Sequence, residues 1–381
     1  MIEVKKVTNK KMQKEFLSFP DKLYKNCPYY VPPLYDDEKK IFSKNYYYYD
    51  TCEAEYFNAY KDGVMAGRIS ALIQRQSNEK DNEKRARFTR FDVIEDFDVA
   101  KALFSAAENW AIEKGMDTIC GPLGFSDLER LGMLVKGFRE FATYEEAYNY
   151  EYYPQFIEQL GYEKEVDWLE FKIFPPRKNQ EKLTRLSLAA QKRYGLHVVK
   201  IKSISKFLKK YSKQVFDVLD ECYDGLYGTV PFTDGMIKNI VSQFKMVLKP
   251  QTIVAVCNDK DQIVAFGVGM PSLAEAVKKC NGRLFPFGFI GVLKAVRKFS
   301  VGDLAVVGVK PEYQHSGVAA ILMEQFVNLM YINGVEHCET NFCLENNKNI
   351  QQIWELFERE QHKTRRAYVK KLNVQTSATE I

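Results

Sequence analysis

A mixed α/β protein of two domains is the expectation, and three observations predict it. The chain has 381 residues, more than one hydrophobic core usually organises. Strand-type and helix-type patterns alternate along both halves instead of gathering into blocks. Near the carboxyl end, a Val-rich run at 303–309 stops at Lys310-Pro311, and a helical spacing of Ile321, Leu322, Phe326, Leu329 and Met330 follows over 318–331. Proline ends the first of these because it cannot donate to a ladder.

In chain order, residues 1–7 alternate as a strand and 12–19 read as a short helix. The aromatic stretches 29–35 and 46–49 are expected to clamp a loop to the core, with a ligand-stacking surface as the alternative. Segments 54–60 and 64–74 form a hairpin around Asp62-Gly63, and the charged stretch 77–85 is expected as an exposed loop. A strand at 87–93, an amphipathic helix at 99–114 stopped by Gly115, and a strand at 118–120 come next. After a loop at 121–137, residues 152–160 are helical and 166–174 alternate as a strand.

Pro175-Pro176-Arg177-Lys178 marks a linker and 181–194 a connecting helix. The second half opens with a strand at 196–201. Helices at 204–222 and 234–248 follow, separated by a loop at 223–232, and then a hairpin of 252–256 with 263–270 around Asp259-Lys260-Asp261. An insertion at 271–297 carries the apolar run 284–293, too short to cross a bilayer. It is either a cover for the core or, with Lys294, Arg297 and Lys298 beside it, a greasy lid or membrane-surface contact. Strands at 335–344 and 364–372 bracket a helix at 347–357.

Composition limits the function. Basic and acidic side chains number 55 and 50, leaving a net charge of +5, which argues against a dedicated nucleic-acid binder. The eight cysteines carry no Cys-x-x-Cys and only four histidines accompany them, so neither a metal nor a disulfide framework is expected. With no apolar leader at the start and no spanning run, a reducing cytoplasm is the expected location.

The turn Gln314-His315-Ser316-Gly317-Val318-Ala319 lies between strand and helix. The first amides of the helix lack intrahelical partners and face outward with the positive end of the helix dipole. This is a phosphate site in outline. The dipole alone contributes only about 0.3–1 kcal/mol, so several amide bonds of roughly 1.5–3 kcal/mol each would have to do the binding.

The strand, the pattern Val-x-Pro-x-Tyr-Gln-x-x-Gly-x-Ala, the helix, the next strand and Glu345-Asn346-Asn347 together resemble the GCN5-related N-acetyltransferase superfamily. The resemblance implies two tandem acyl-CoA N-acyltransferase-like domains, mixed α/β, each a mixed central sheet flanked by helices. Residues 1–175 would be a degenerate copy without a phosphate loop, because Ile94-Glu95-Asp96-Phe97-Asp98 offers carboxylates where a diphosphate needs glycine. Residues 176–195 would be a linker helix, 196–374 the acyl-CoA-binding domain and 375–381 a flexible tail. The loop at 121–137 would supply a wall of the substrate cleft.

The resemblance further implies acetyl-CoA or another acyl-CoA as co-substrate, with its pyrophosphate on Gln314, His315, Ser316, Gly317, Val318 and Ala319. Its pantetheine would meet backbone groups of Val307 and Val309, and Asn347 would also contact it. The acceptor would be a small-molecule or peptide amine. A long-chain N-acyl synthase and a non-catalytic acyl-CoA-binding protein are the alternatives.

An alkylamine is protonated near neutrality, so acyl transfer needs a base for the amine, a donor for the oxyanion and a proton for the thiolate. Asp303, at the spacing of the family's base, and Glu345 are base candidates; a solvated aspartate or surface carboxylate is the alternative reading of each. The tyrosine that often serves as acid is replaced by Trp354, which leaves Tyr368 on the last strand as the candidate.

Overall fold

The computed structural model describes residues 1–176, 180–245 and 247–373. It divides into two compact units that do not follow the linear division at 175 and 196. The first holds Met1–Trp168, Val277–Leu284 and the chain from Lys363 onward; the second holds Leu169–Ala276 and Phe285–His362. The expected tail at 375–381, and Arg177 and Lys178 of the expected linker, lie outside the described residues.

The first unit begins with β1 (Ile2–Lys6), α1 (Lys10–Leu23) and the short α2 (Tyr35–Glu38), followed by β2 (Cys52–Lys61) and β3 (Val64–Gln74). Then come α3 (Arg75–Asp81), β4 (Arg85–Val93), α4 (Phe97–Glu113), β5 (Thr118–Gly121), β6 (Met133–Lys136) and α5 (Tyr152–Gln159). The β2–β3 turn falls on Asp62 and Gly63, both with positive φ (51° and 79°), as a two-residue hairpin loop requires. α4 lays Leu103, Phe104, Ala107 and Trp110 on the sheet. It approaches so closely that a Cβ on Gly67 would sit 2.8 Å from Leu103 Cδ1.

One expectation fails here for an identifiable reason, and another holds. The segment 77–85 is not a loop throughout: α3 occupies its start and ends at Asn82, which takes a left-handed conformation. α3 buries no residue, so there is no apolar stripe by which a pattern could reveal it. The tyrosine stretches do clamp the core. Tyr30, Tyr46 and Tyr48 are buried, and Tyr48 stacks on Phe125 with centroids 5.3 Å apart.

The second unit contains the end of β7 (Glu163–Ile173), then α6 (Glu181–Tyr194), β8 (His197–Val198), α7 (Ile204–Tyr223), α8 (Asp234–Phe244), β9 (Ile253–Cys257) and β10 (Ile263–Pro271). α9 (Ala274–Lys279) leads out of it. After the return come α10 (Gly288–Arg297), β11 (Val301–Val309), α11 (Val318–Asn333), β12 (His337–Thr340), β13 (Cys343–Leu344) and α12 (Lys348–Trp354). The chain finishes with β14 (Arg359–Lys371). Its sheet runs β7-β12-β11-β10-β9-β8, and the sheet of the first unit runs β1-β2-β3-β4-β5-β14.

β9 explains why its sequence is apolar without alternation. Val254 and Val256 pack with α11 on one face, while Ile253, Ala255 and Cys257 pack with α7 on the other. A strand covered on both sides needs apolar residues at every position. α6 is more than a connector, since Leu183 and Ala190 join the same core as α11. The strand expected over 196–201 is only two residues long, and the one expected over 335–344 is broken between β12 and β13. Among the described residues no helix is long and apolar enough to cross a membrane.

Candidate active site

The site grows out of a parting of two strands in the second unit. β11 and β12 pair in parallel from Val301 opposite His337 to Leu304 opposite Thr340, and there the ladder stops. From Val306 to Val309, β11 continues against β10 on its other side, Val307 opposite Gly267 and Val309 opposite Ala265. One edge of β11 is therefore released from strand pairing just where the Val-rich run begins.

Side chains attend to that edge at every second residue. Asn341, at the break between β12 and β13, donates from Nδ2 to the Ala305 carbonyl (2.9 Å). The Val307 N–H donates to the Tyr223 hydroxyl oxygen (3.4 Å), and the Tyr223 O–H reaches the Val307 carbonyl (3.3 Å). Gln314 Nε2 donates to the Val309 carbonyl (3.3 Å). Backbone that could accept an added extended chain is thus held in place by three exchangeable side-chain contacts.

At the end of β11 the chain turns through Pro311–Tyr313, and His315 (φ 59°) and Gly317 (φ 84°) both take left-handed conformations. At Gly317 conformation is what requires glycine. An added Cβ would meet only the Ala190 methyl at 3.7 Å, an ordinary contact, whereas positive φ is costly for residues with a side chain. Gly317 is the N-cap of α11, and no side chain caps this end. The Ser316 hydroxyl is turned away to the Tyr313 carbonyl. Gln314, His315 and Gly317 are exposed and Val318 is buried, so the free amides open to solvent on a firmly anchored helix. These residues fit a diphosphate.

The remaining candidates distribute unevenly. Asp303 is the third residue of β11, 3% exposed, in register between Met270 and Glu339 on the neighbouring strands. It is therefore not a solvated aspartate at a strand start. Glu339 in turn meets His362 Nε2 at 3.1 Å and His337 Nε2 at 3.8 Å. Burial pushes the Cys338 thiol up to about 12, the Asp303 and Glu339 carboxylates adding to it. Glu345 is exposed. Asn347 caps α12 by accepting from the Ile350 N–H (3.4 Å). Trp354 is buried with Nε1 on Cys343 Sγ (3.4 Å).

Tyr368 belongs to the first unit, whereas all the other candidates belong to the second. It is fully buried and donates to Glu158 Oε1 (3.0 Å). Burial, then the Glu158 charge, raises its pKa, which makes it a poorer proton donor. The loop at 121–137 also lies in the first unit, with Gln74 Nε2 bound to its Phe125 carbonyl (3.1 Å). The first unit has a cavity of about 530 Å³ that Tyr29, Phe138, Tyr148, Tyr150 and Tyr152 help to line.

Sequence reasoning did not assign a role to Tyr223. The signal was one residue away, because the helix expected over 204–222 ends at Tyr223, and that last residue is the one that reaches β11. His197, Cys257 and Asp261 bring ligand-type atoms within 4.8 Å of one another. Asp261, however, is engaged by Lys210 Nζ and the Tyr211 hydroxyl, each at 2.5 Å.

No protein-family model matches the chain. It is 28% identical to Protein YghO of Escherichia coli K12 over 97% of its length and 95% of that protein. It is 26% identical to the bacterial ceramide synthase of Caulobacter vibrioides over 94% of each. Among solved structures, a tandem GNAT protein from the clavulanic acid biosynthesis pathway superposes with a TM-score of 0.54 at 10% identity, covering 98% of this chain and 99% of that one. A GCN5-related N-acetyltransferase from Sphaerobacter thermophilus gives 0.51 at 11% identity over 97% and 96%. At such identities the superpositions show a shared fold.

Proposed function

We propose that this chain, whose fold is that of the GCN5-related N-acetyltransferases built in tandem, is an acyl-CoA-dependent N-acyltransferase that binds its thioester substrate in the second unit. The observation that carries this reading is the continuity of the released β11 edge with the uncapped, glycine-started helix α11. An extended pantetheine arm fits the first and a diphosphate the second. In this reading Val307 and Val309 hold the arm, and the amides of residues 317–319 hold the phosphates, the Ser316 amide being turned to the Tyr313 carbonyl (3.4 Å).

The reaction is direct attack. The amine nitrogen bonds to the thioester carbonyl carbon, the C–S bond breaks, the nitrogen loses a proton and the thiolate gains one. Tyr223, with its hydroxyl on Val307, is the side chain we assign to the oxyanion or the thiolate, in place of the buried Trp354. Asp303 remains the candidate for relaying the proton from the amine, with Glu339 beside it in register.

Acetyl transfer is the simplest form of this chemistry. A second form, long-chain transfer to a lipid amine, is favoured by the near full-length similarity to a protein named as a ceramide synthase. The two separate in one assay. Coenzyme thiol release is followed with acetyl-CoA and palmitoyl-CoA, each with a short alkylamine and with a long-chain amino alcohol. Turnover with palmitoyl-CoA and the amino alcohol alone selects the second form. Binding of both thioesters without thiol release from any pairing rejects both forms in favour of a non-catalytic binder.

A further inference from the structure

α10 has the wrong face outward for a helix on a soluble surface. Its inner side carries Val296, 7% exposed, with Val292 and Ala295 partly covered. The outward side presents Phe289, Ile290 and Leu293, exposed by 40%, 43% and 46%. Just before the helix, Phe285 and Phe287 are each 75% exposed, and the Phe285 and Phe289 rings lie 6.2 Å apart. These are five of the twelve large apolar side chains that stand exposed among the described residues, and they fall within nine consecutive positions.

The charge beside this patch is one-sided. Lys294, Arg297 and Lys298 are exposed at the far end of α10, and no acidic residue occurs from 285 to 300. A contiguous apolar patch marks a docking surface. Protein interfaces are poor in lysine, whereas phenylalanine and leucine on one face flanked by lysine and arginine are what an anionic lipid surface takes up.

We propose that Phe285, Phe287 and the outer face of α10 insert into the headgroup layer of an anionic bilayer, with Lys294, Arg297 and Lys298 on its phosphates. The anchor is interfacial and reversible, since the helix is only ten residues long and none of the described helices spans. It stands apart from the acyl-transfer reading and would hold even if that reading fell.

The test is co-sedimentation of the full chain with vesicles of phosphatidylcholine alone and of phosphatidylcholine with phosphatidylglycerol. Wild type is expected to bind the anionic vesicles and to leave them as salt is raised. Ile290→Ser with Leu293→Ser should weaken binding by at least about tenfold, because each buried apolar side chain is worth roughly an order of magnitude. Lys294→Gln with Arg297→Gln should cost about fivefold per charge and remove the preference for anionic lipid. All four side chains are exposed, so the melting temperature should not move, and this is checked in the same preparations. Wild type failing to bind either vesicle, or the serine variant binding as well as wild type, overturns the proposal. So does light scattering that shows wild type self-associating without lipid and the serine variant monomeric, which would assign the patch to a second copy of the chain.

Discussion

The two strand–turn–helix corners of the molecule, β4 into α4 and β11 into α11, solve the same local problem in opposite ways. In the first unit Asp96 accepts from the Asp98 and Val99 amides (3.1 and 3.3 Å), and Lys61 pairs with it. That hydrogen bond from Lys61 is the leading reason the Asp96 carboxyl lies below its usual range. The strand end is closed as well: the Val93 N–H donates to the Tyr153 hydroxyl (2.9 Å), and Tyr152 donates to the Val93 carbonyl (2.7 Å). In the second unit the helix end has no side-chain cap, and a single tyrosine attends the strand at Val307. A corner that completes its own hydrogen bonds is closed to a ligand, and one that leaves helix amides outward is the kind that the proposed phosphate site needs.

The sharpest way to break this contrast is Gly317→Glu. It places a side chain at a positive φ and a carboxylate where phosphate is expected. Stabilisation by coenzyme A, about 2.7 kcal/mol at a hundredfold excess over Kd, should vanish in a thermal-shift titration. An undiminished shift would remove the phosphate site from this turn. Next in size, Tyr223→Phe should lower kcat by about 100-fold, the usual range for a lost proton donor, while calorimetry finds coenzyme affinity little changed. A parallel fall in affinity would make Tyr223 a positioning residue instead.

A smaller effect tests the first unit through the half-buried Glu145. Burial, opposed by Arg130 and helped by Glu146, holds the Glu145 carboxyl up at about 7 from an ordinary 4.5. The folded state thus binds the proton more tightly than the unfolded one. The protonated form favours folding fully below about 4.5, and that advantage is lost as pH rises through 7. Glu145→Gln should therefore raise stability by on the order of 2 kcal/mol above pH 7 and by little at pH 4, read from urea midpoints at the two pH values. Smallest of all, Asp96→Ala should cost about 1 kcal/mol through the lost cap and leave coenzyme binding untouched. If binding changed, the two corners would not be independent.

Much of this contrast is legible in the sequence. Glycine at 317 and carboxylates at 95, 96 and 98 announce which corner can take an anion, because backbone conformation and charge are local properties. Val254 and Val256 read correctly as strand for the same reason. Tyr223 escaped because its meaning lies in one extra residue of helix, below the accuracy with which periodicity fixes an end. The break at Asn341 escaped because a strand pattern continues on both sides of it. The pairing of β14 was illegible for a deeper reason: an alternating run declares that it will pair, but not with which edge.

That pairing has a consequence for how the protein can be made. Tyr368 to Lys371 close the free side of β5. From the same last strand, Lys363 and Arg365 reach the buried Glu146 carboxylate at 2.5 and 3.3 Å. The first unit to leave the ribosome is thus the last to be finished, waiting for residues made after the whole second unit. An amino-terminal fragment expressed alone would carry a bare strand edge and a buried carboxylate without Lys363 and Arg365, so the two halves cannot be dissected at the midpoint of the chain.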